Sequence, residues 1–263
     1  GSLEVDGARV ELAVLLDALR NKKRAVPLGN HQFVILGEQL RARLRDVAAG
    51  TMGGVDAPHL GPAGALALQA LESELQGLQG DRDFKTLMQR VEEARNLQPV
   101  VPAALKTVLR DYQKDGFKWM ARLAAWGAGA VLADDMGLGK TIQALTLLDH
   151  RKNNGPALVV APTSVCRNWE TEARRFAPAL RITLHRDVPE KERTTTLAAL
   201  GPKDVLVTSY GLLIRHAEQL AATTFNTLVL DEAHAVKNPS SRRAAAARGL
   251  KAEFKLALTG TPL

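Results

Sequence analysis

A glycine-rich segment that ends in a lysine and a hydroxyl residue has the composition of a phosphate-binding loop. A short apolar run leads into it, and a stretch with helical periodicity follows. The glycines permit a tight turn whose backbone N–H groups, with the start of the helix, can surround phosphate oxygens. Lys140 would reach the β- and γ-phosphates, and the Thr141 hydroxyl would bind Mg²⁺. The predicted loop consists of Asp134, Asp135, Met136, Gly137, Leu138, Gly139, Lys140 and Thr141.

The first position of this loop departs from the general pattern G-x-x-x-x-G-K-[ST]. Asp134 stands where the first glycine belongs. Taken alone, the segment could also be a glycine-rich turn between a strand and a helix that carries a Lys-Thr pair by chance. A second motif farther along the chain favours the nucleotide site over this alternative.

Two consecutive carboxylates follow another short apolar run, in the string DEAH. A carboxylate at the end of a strand can hold a metal ion, and its neighbour can orient and deprotonate an attacking water. We predict that Asp231 binds Mg²⁺ together with Thr141, that Glu232 is the catalytic base, and that Lys140 completes the catalytic set. A lone acidic turn is usually exposed loop, but its combination with a phosphate loop indicates nucleotide hydrolysis.

Short apolar runs alternate with helical stretches after residue 105. Continuous apolar runs are typical of parallel strands buried on both faces, and the stretches between them are long enough for crossover helices. The sequence therefore predicts an open, doubly wound parallel α/β sheet, in which ligands bind at the carboxyl ends of the strands. The predicted strands are residues 130–133, 158–161, 181–184, 205–208, 228–230 and 256–258.

A proline-marked segment, Gln98–Pro102, separates this part of the chain from a preceding region without recognisable chemistry. We interpret residues 1–2 as a cloning scar, residues 3–100 as a smaller, mainly helical accessory domain, and residues 105–263 as the nucleotide-binding lobe. The elements predicted in the accessory region are a β-hairpin from residues 26–28 and 33–36, a loop over residues 50–64, and helices over residues 11–22, 40–47, 68–78 and 84–91.

Basic residues outnumber acidic ones by 35 to 28, which gives a formal net charge of +7. This surplus favours a polyanionic partner such as a nucleic acid or a membrane surface, although a protein with a mildly basic surface and no such partner is equally compatible with it. Cys166 is the single cysteine, so no internal disulfide or thiolate metal site can form. No apolar run reaches ~18 residues, and we expect no membrane span.

Smaller signals flank the two motifs. The string LTGTP closes the last apolar run and could connect the acidic residues to a nucleic acid. Gln113, in the string RDYQ, carries an amide that could pair with both a donor and an acceptor of adenine, or could be an ordinary surface residue. Ser164 could cap a helix over residues 165–176, whose free N–H groups suit a phosphate. Trp169 in that helix is predicted to be a core residue.

Taken together, the strings resemble the first motor lobe of the Snf (sucrose-non-fermenting) family of chromatin-remodelling and repair translocases, in helicase superfamily two. The resemblance starts at about Leu105 and includes LRDYQKDGFKWM, LADDMGLGKTIQAL, LVVAPTSVCRNWETEARRF, DVLVTSY, LVLDEAHAVKNPSS and LALTGTPL. The family also has an acidic residue at the first loop position, so Asp134 agrees with it. DEAH-type RNA helicases carry GETGSGKT and SAT strings, which this sequence lacks.

The resemblance implies a RecA-like fold, ATP and Mg²⁺ as cofactors, and roles for residues outside the phosphate loop. Adenine would be recognised by Gln113 and Arg110. The backbone of a DNA strand would be contacted by Thr163, Ser164, Arg167, Asn168 and Ser209. The ATP site would be coupled to DNA through His234, Thr259 and Thr261.

The implied activity is that of an ATPase motor that is stimulated by double-stranded DNA and moves along it with little sequence specificity. Because the chain ends at Leu263, we expect it to lack the second RecA-like lobe that supplies arginines to the γ-phosphate. It should then bind nucleotide weakly and hydrolyse it very slowly. An RNA helicase lobe and a nucleotide-binding scaffold without catalysis are the alternatives.

Residues 3–100 resemble, more weakly, the accessory region that precedes the motor in bacterial members of the family. This implies a bacterial source and a cytoplasmic, nucleoid-associated protein. The same region is a candidate surface for a protein partner. We expect no membrane partner.

Overall fold

The structure is a computed structural model that describes residues 2–5, 8–29, 32–52, 59–61, 64, 67–68, 70 and 82–260. The chain divides into two compact units, Gly1–Asn96 and Leu97–Leu263. Each unit has a hydrophobic core of its own. The helix predicted over residues 68–78 lies largely outside the described residues.

The N-terminal unit combines helices with short antiparallel strand pairs. Its described elements are β1 (Ser2–Val5), β2 (Ala8–Glu11), α1 (Leu12–Arg20), β3 (Ala25–Gly29), β4 (Gln32–Ile35), α2 (Glu38–Ala49), β5 (Thr51–Met52), β6 (His59–Leu60) and α3 (Arg82–Asn96). The predicted hairpin is confirmed, because β3 and β4 pair antiparallel. Leu15, Val26 and Leu44 are fully buried in the core, as their apolar spacing predicts.

The loop predicted over residues 50–64 is wrong in part. β5 and β6 form a short antiparallel pair inside it, with Thr51 opposite Leu60. Gly61 N–H also donates to the Gly50 carbonyl, at 2.9 Å. Backbone groups that are shielded from water need partners, and this pair provides them where glycine and proline content alone predicts a loop.

A six-stranded parallel sheet forms the centre of the C-terminal unit, as the alternating apolar runs predict. Its strands are β7 (Ala130–Leu132), β8 (Ala157–Ala161), β9 (Arg181–Leu184), β10 (Asp204–Ser209), β11 (Thr224–Leu230) and β12 (Lys251–Leu258). The strand order is β7-β12-β11-β8-β10-β9, and all five pairings are parallel. β12 is longer than predicted because it begins with the partly exposed, polar segment Lys251–Glu253.

Helices cover both faces of this sheet. They are α4 (Asp111–Trp126), α5 (Lys140–Arg151), α6 (Cys166–Phe176), α7 (Arg193–Ala198), α8 (Tyr210–Arg215), α9 (Ala217–Ala222) and α10 (Arg242–Gly249). In β8, Val159 belongs to a core with residues of α4, α5 and α6, whereas Leu158 and Val160 belong to a second core with Tyr210 and Phe225. Neighbouring side chains of a strand point to opposite faces, so the doubly wound α/β fold is confirmed.

The start of α6 differs from the prediction. Residues 163–165 form a turn, Val165 occupies the cap position with helical backbone angles, and no side chain caps the helix. The Val165 N–H donates to the Pro162 carbonyl at 2.9 Å. The helix therefore begins one residue later than predicted, at Cys166, and Ser164 does not cap it. Within the described ranges, no helix has both the length and the apolar character needed to cross a bilayer.

Candidate functional site

Three polar segments leave the sheet side by side. The phosphate loop follows β7, the acidic residues follow β11, and the string LTGTP ends β12. Because β12 pairs with both β7 and β11 in parallel, the carboxyl ends of all three strands meet at the same edge. The fold thus brings together two motifs that are far apart in the sequence.

The phosphate loop requires glycine at two positions. Gly137 and Gly139 have φ angles of 85° and 77°, in the left-handed region that other residues rarely adopt. Gly139 immediately precedes α5, so the free N–H groups of the first turn of the helix face the same space as the loop. This arrangement can bind an anion of the size of a phosphate.

Lys140 turns back onto the loop. Its Nζ donates to the carbonyl oxygens of Asp134, at 2.8 Å, and Asp135, at 3.0 Å. These are neutral acceptors, and phosphate oxygens would bind an ammonium group more strongly because they are charged. The ammonium group is therefore already held beside the loop, where the β- and γ-phosphates of a nucleotide would lie.

Gln113 lies against the phosphate loop. Its Nε2 donates to the Leu138 carbonyl at 3.1 Å, and its Oε1 accepts from the Arg110 N–H at 2.9 Å. The hydroxyl of Tyr112 donates to the same Leu138 carbonyl, also at 3.1 Å. Both ends of the Gln113 amide are thus engaged by the protein, and pairing with adenine would require these bonds to be exchanged. Arg110 is exposed and meets Gln113 through its backbone.

Asp231 is buried at the end of β11, and several groups fix its orientation. Its Oδ1 accepts from the Glu232 N–H, and its Oδ2 accepts from the indole Nε1 of Trp169, both at 2.9 Å. The Tyr210 hydroxyl donates to the backbone carbonyl of Asp231 at 2.8 Å. Burial raises the pKa of the Asp231 carboxyl above its usual value, while the hydrogen bonds from Trp169 and Glu232 and the charge of Lys140 oppose that change.

Glu232 has unusual backbone geometry. Its φ of 50° and ψ of 53° lie in the left-handed region, which is unfavourable for a residue with a side chain. Such angles occur often at functional sites, where the surrounding structure holds them. The Glu232 Oε2 lies 3.3 Å from Nδ1 of His234, so the carboxylate has a polar neighbour on its exposed side.

One cavity of about 650 Å³ joins the phosphate loop to the acidic residues. Lys140, Thr141, Asp231 and Glu232 are among the predicted site residues in its lining, and they come from two strand ends. α6 also contributes to the lining, through residues that include Asn168, Thr171, Glu172 and Arg175. Asn168 thus lies in the wall of the cavity, although the sequence associates it with DNA.

The end of β12 lies close to the phosphate loop. Thr259 is fully buried, and its N–H donates to the Leu132 carbonyl at 3.1 Å. A Cβ atom at Gly260 would come within 2.9 Å of Cγ of Met136, so glycine allows the close approach of the two segments. Thr261, the other residue predicted to couple the ATP site to DNA, lies outside the described residues.

The predicted DNA-contacting residues fall into two groups. Thr163, Ser164 and Arg167 are exposed at the start of α6, and Arg167 pairs with Asp187 at 3.5 Å. Ser209 is buried, and its hydroxyl accepts the Leu212 N–H at 3.2 Å, which caps α8. A small cavity of about 130 Å³ has Thr163 from the first group and Ser209 from the second group in its lining. The cationic side chain of Arg186 also lines it.

Sequence reasoning missed several residues that complete the site. Gln143 donates a hydrogen bond to the carboxylate of Asp134, and Arg186 lines the small cavity together with Thr163 and Ser209. Trp169 is buried, as predicted, but it also donates to a carboxylate 62 positions later. A buried indole N–H needs a partner, so the burial of Trp169 was a signal that a partner exists, without indicating which one.

The parallel sheet, with the glycine-rich loop and the acidic residues at its carboxyl edge, has the architecture of a RecA-like α/β lobe. A family profile described as SNF2-related domain matches residues 112–263. This match covers more than half of the sequence, so the chain belongs to the SNF2-related domain family, and the resemblance inferred from the sequence is confirmed.

Known relatives agree with this assignment. The Bacillus subtilis protein YwqA, named as a candidate ATP-dependent helicase/translocase, is 40% identical over 198 residues, covering 73% of this chain and 22% of that protein. The ISWI chromatin-remodeling complex ATPase CHR17 of Arabidopsis thaliana is 40% identical over 168 residues, which cover 62% of this chain and 16% of that protein. A solved SWI2/SNF2 ATPase core of Sulfolobus solfataricus in complex with double-stranded DNA is 38% identical, with a TM-score of 0.56, covering 63% of this chain and 35% of that one. The chain spans about a fifth of the length of these two curated relatives.

Proposed function

We propose that this chain is the ATP-binding lobe of a motor that hydrolyses ATP while it moves along double-stranded DNA. The observation that carries the proposal is the single cavity that brings Lys140, Thr141, Asp231 and Glu232 together. Membership of the SNF2 family supports it, as does the double-stranded DNA bound by the Sulfolobus ATPase core. Residues 105–263 form the lobe in this proposal, and residues 3–100 form an accessory region.

The oxygen donors in the cavity suit Mg²⁺. Thr141 and Asp231 both line this cavity, and hard oxygen ligands such as hydroxyl and carboxylate groups are those that Mg²⁺ prefers. In the described part of the chain, no three His, Cys, Asp or Glu side chains converge as a ligand set. This fits an ion that is held by one or two protein groups and otherwise by phosphate oxygens and water. Bound Mg²⁺ would supply positive charge to the phosphates.

The residues around the cavity then have separate tasks. The phosphate loop binds the triphosphate through its N–H groups, and Lys140 exchanges its two carbonyl acceptors for phosphate oxygens. Glu232 orients the attacking water and takes its proton, while the adjacent His234 helps to hold the carboxylate. Gln113 connects the loop to α4, so a base that binds near it would be sensed by the loop.

The DNA backbone would be contacted at the start of α6 and at Ser209. Arg167 and Arg186 lie at this surface, and both pair with Asp187. Phosphate groups would compete with that aspartate for the two guanidinium groups. Binding through phosphates alone gives little sequence specificity and should weaken steeply as the salt concentration rises.

Rapid hydrolysis requires a second RecA-like lobe in this proposal. Of the described residues that line the cavity, Lys140 and Arg175 carry positive charge. Arginines from an opposing lobe can be worth about 10³–10⁵ in rate, because they stabilise the charge of the transition state. The 263-residue chain alone should therefore turn over slowly. A large DNA-stimulated ATPase rate from this chain would contradict the need for the second lobe.

The experiment that tests the function compares the ATPase rate of the full-length protein under three conditions: without nucleic acid, with duplex DNA and with single-stranded RNA. We expect stimulation by duplex DNA. Stimulation by RNA alone would instead identify an RNA helicase lobe. Binding of ATP without hydrolysis under any condition would identify a nucleotide-binding scaffold. Either of these outcomes contradicts the proposal.

A further inference from the structure

Two of the segments assigned to the DNA backbone are each followed directly by an aromatic residue that hydrogen-bonds to Asp231. Asn168 ends the first segment, and the next residue, Trp169, donates to Oδ2 of Asp231 at 2.9 Å. Ser209 forms the second segment, and the next residue, Tyr210, donates to the backbone carbonyl of Asp231 at 2.8 Å. Two separate elements thus reach the same acidic residue.

Both links are buried. Trp169 is 1% exposed, Tyr210 is 5% exposed and Asp231 is 8% exposed. A buried polar group that loses its partner has no water to replace it, so the loss is unfavourable. A displacement of α6 or of the end of β10 therefore has to carry Asp231 with it or break a costly bond. Both aromatic rings also belong to packed cores, which limits how far they can turn separately from the backbone.

The two bonds constrain different parts of Asp231. Trp169 holds one carboxylate oxygen, while the other is held by the N–H of Glu232 within the acidic segment itself. Tyr210 holds the backbone at the same residue. The orientation of the carboxylate therefore depends on α6, and the position of its backbone depends on the start of α8.

We infer that Trp169 and Tyr210 are positioning residues that transmit DNA contact at the start of α6 and at Ser209 to Asp231 in the nucleotide cavity. This inference rests on the proposed function, since it needs both the DNA contacts and the role of Asp231. The hydrogen bonds of Trp169 and Tyr210 to Asp231 provide a physical route between the DNA contacts and the nucleotide cavity. This route does not pass through the sheet as a whole. Outer partners of this kind typically change metal affinity or activity by about 10–100-fold when they are removed.

The indole N–H signals of the three tryptophans allow a direct test on the 263-residue chain by NMR. The signal of Trp169 is identified by its loss in Trp169→Phe. We expect duplex DNA without nucleotide to shift this signal, along with the backbone amides of residues 163–168, and to leave the indole signal of the half-exposed Trp119 unchanged. Binding of Mg²⁺ with ADP in the nucleotide cavity should also shift the Trp169 signal, through the hydrogen bond of the indole to Asp231.

The possible results separate the inference from the function on which it rests. If duplex DNA shifts the amides of residues 163–168 but not the Trp169 indole, the DNA contact stands and the link to Asp231 is wrong. If saturating DNA shifts none of these amides, the DNA contact itself is wrong, and the inference fails with it.

Substitutions in the full-length protein provide a second test that does not depend on turnover. The affinity for Mg²⁺ with ADP is measured with and without duplex DNA, and the ratio of the two affinities reports the coupling between the sites. We expect Trp169→Phe and Tyr210→Phe each to reduce this ratio by roughly fivefold or more. Trp119→Phe, on the exposed side of α4, is the matched control. An unchanged ratio in a folded Trp169→Phe or Tyr210→Phe protein would overturn the inference for that residue.

Discussion

Oδ2 of Asp134 accepts a hydrogen bond from Nε2 of Gln143, with 3.1 Å between the two atoms. Gln143 is 1% exposed and lies on the first turn of α5, directly behind the phosphate loop. The acidic residue at the first loop position therefore has a structural task that glycine could not perform. It gives a buried amide its acceptor and ties the beginning of the loop to the helix that ends it.

Replacement of this aspartate by glycine restores the general loop pattern but leaves the Gln143 amide without its acceptor. We expect Asp134→Gly to lower the free energy of unfolding by about 1–3 kcal/mol, because a buried donor becomes unpaired. Asp134→Asn keeps an acceptor oxygen, so its free energy of unfolding should fall much less. Urea unfolding of the chain measures both. A glycine variant as stable as the parent would show that the bond has no structural importance.

Gly116 provides the space that Gln143 occupies. A Cβ atom at Gly116 in α4 would collide with Oε1 of Gln143, so Gly116→Ala should displace the buried amide and disturb its bond to Asp134. Overpacking of this kind destabilises by about 1–3 kcal/mol. Gly249→Ala is the control, because nothing lies within 4 Å of a Cβ atom there. Equal thermal stability of the two variants would contradict the packing described for Gly116.

The sequence predicts the parts of this fold that depend on local patterns. The strands are recognisable because continuous apolar runs are buried on both faces, and the phosphate loop is recognisable because left-handed turns need glycine. The position of β12 between β7 and β11 is not recognisable, since strand order depends on packing between distant segments. The partner of Trp169 could not be predicted for the same reason, because it lies at the end of β11, 62 positions later. The absence of a cap from Ser164 could not be predicted either, because it depends on the residue at which α6 begins.

Lys140 should be essential for nucleotide binding. Lys140→Ala removes the ammonium group that would meet the β- and γ-phosphates, and we expect at least a tenfold loss of affinity, corresponding to about 1.4 kcal/mol. Lys118→Ala, at a surface position paired with Asp115 in α4, is the matched control and should bind normally. A fluorescent ATP analogue measures both affinities. Equal binding by the two variants would remove Lys140 from the site.

His185 should make the stability of the C-terminal unit depend on pH. Its Nδ1 lies 2.9 Å from the Thr208 hydroxyl, its ring packs beside that of His216, and Arg193 lies 3.1 Å from Nε2 of His216. Burial, followed by the charges of His216 and Arg193, lowers the pKa of His185 from 6.5 to about 4. The folded state therefore binds the proton less readily than the unfolded state does.

The sign of this effect follows from linkage. The contribution of His185 is fully present above pH 6.5 and is lost as the pH falls through that value towards 4, with an upper limit of about 3 kcal/mol. We expect the melting temperature to fall over this interval and the slope to be reduced in His185→Gln. Thermal unfolding of the parent and of His185→Gln at several pH values measures the slope of melting temperature against pH. The same slope in the variant would assign the pH dependence to other groups.

Glu232 is proposed to deprotonate water beside a triphosphate that the loop holds, and the rate of a single ATP turnover reports this step. Single-turnover ATP hydrolysis is followed in the full-length protein with saturating duplex DNA, for the parent and for Glu232→Gln. We expect the variant to bind ATP and DNA normally and to hydrolyse ATP at least about 10²-fold more slowly, because the amide cannot accept the proton. Hydrolysis at the parental rate by Glu232→Gln would show that Glu232 is not the base.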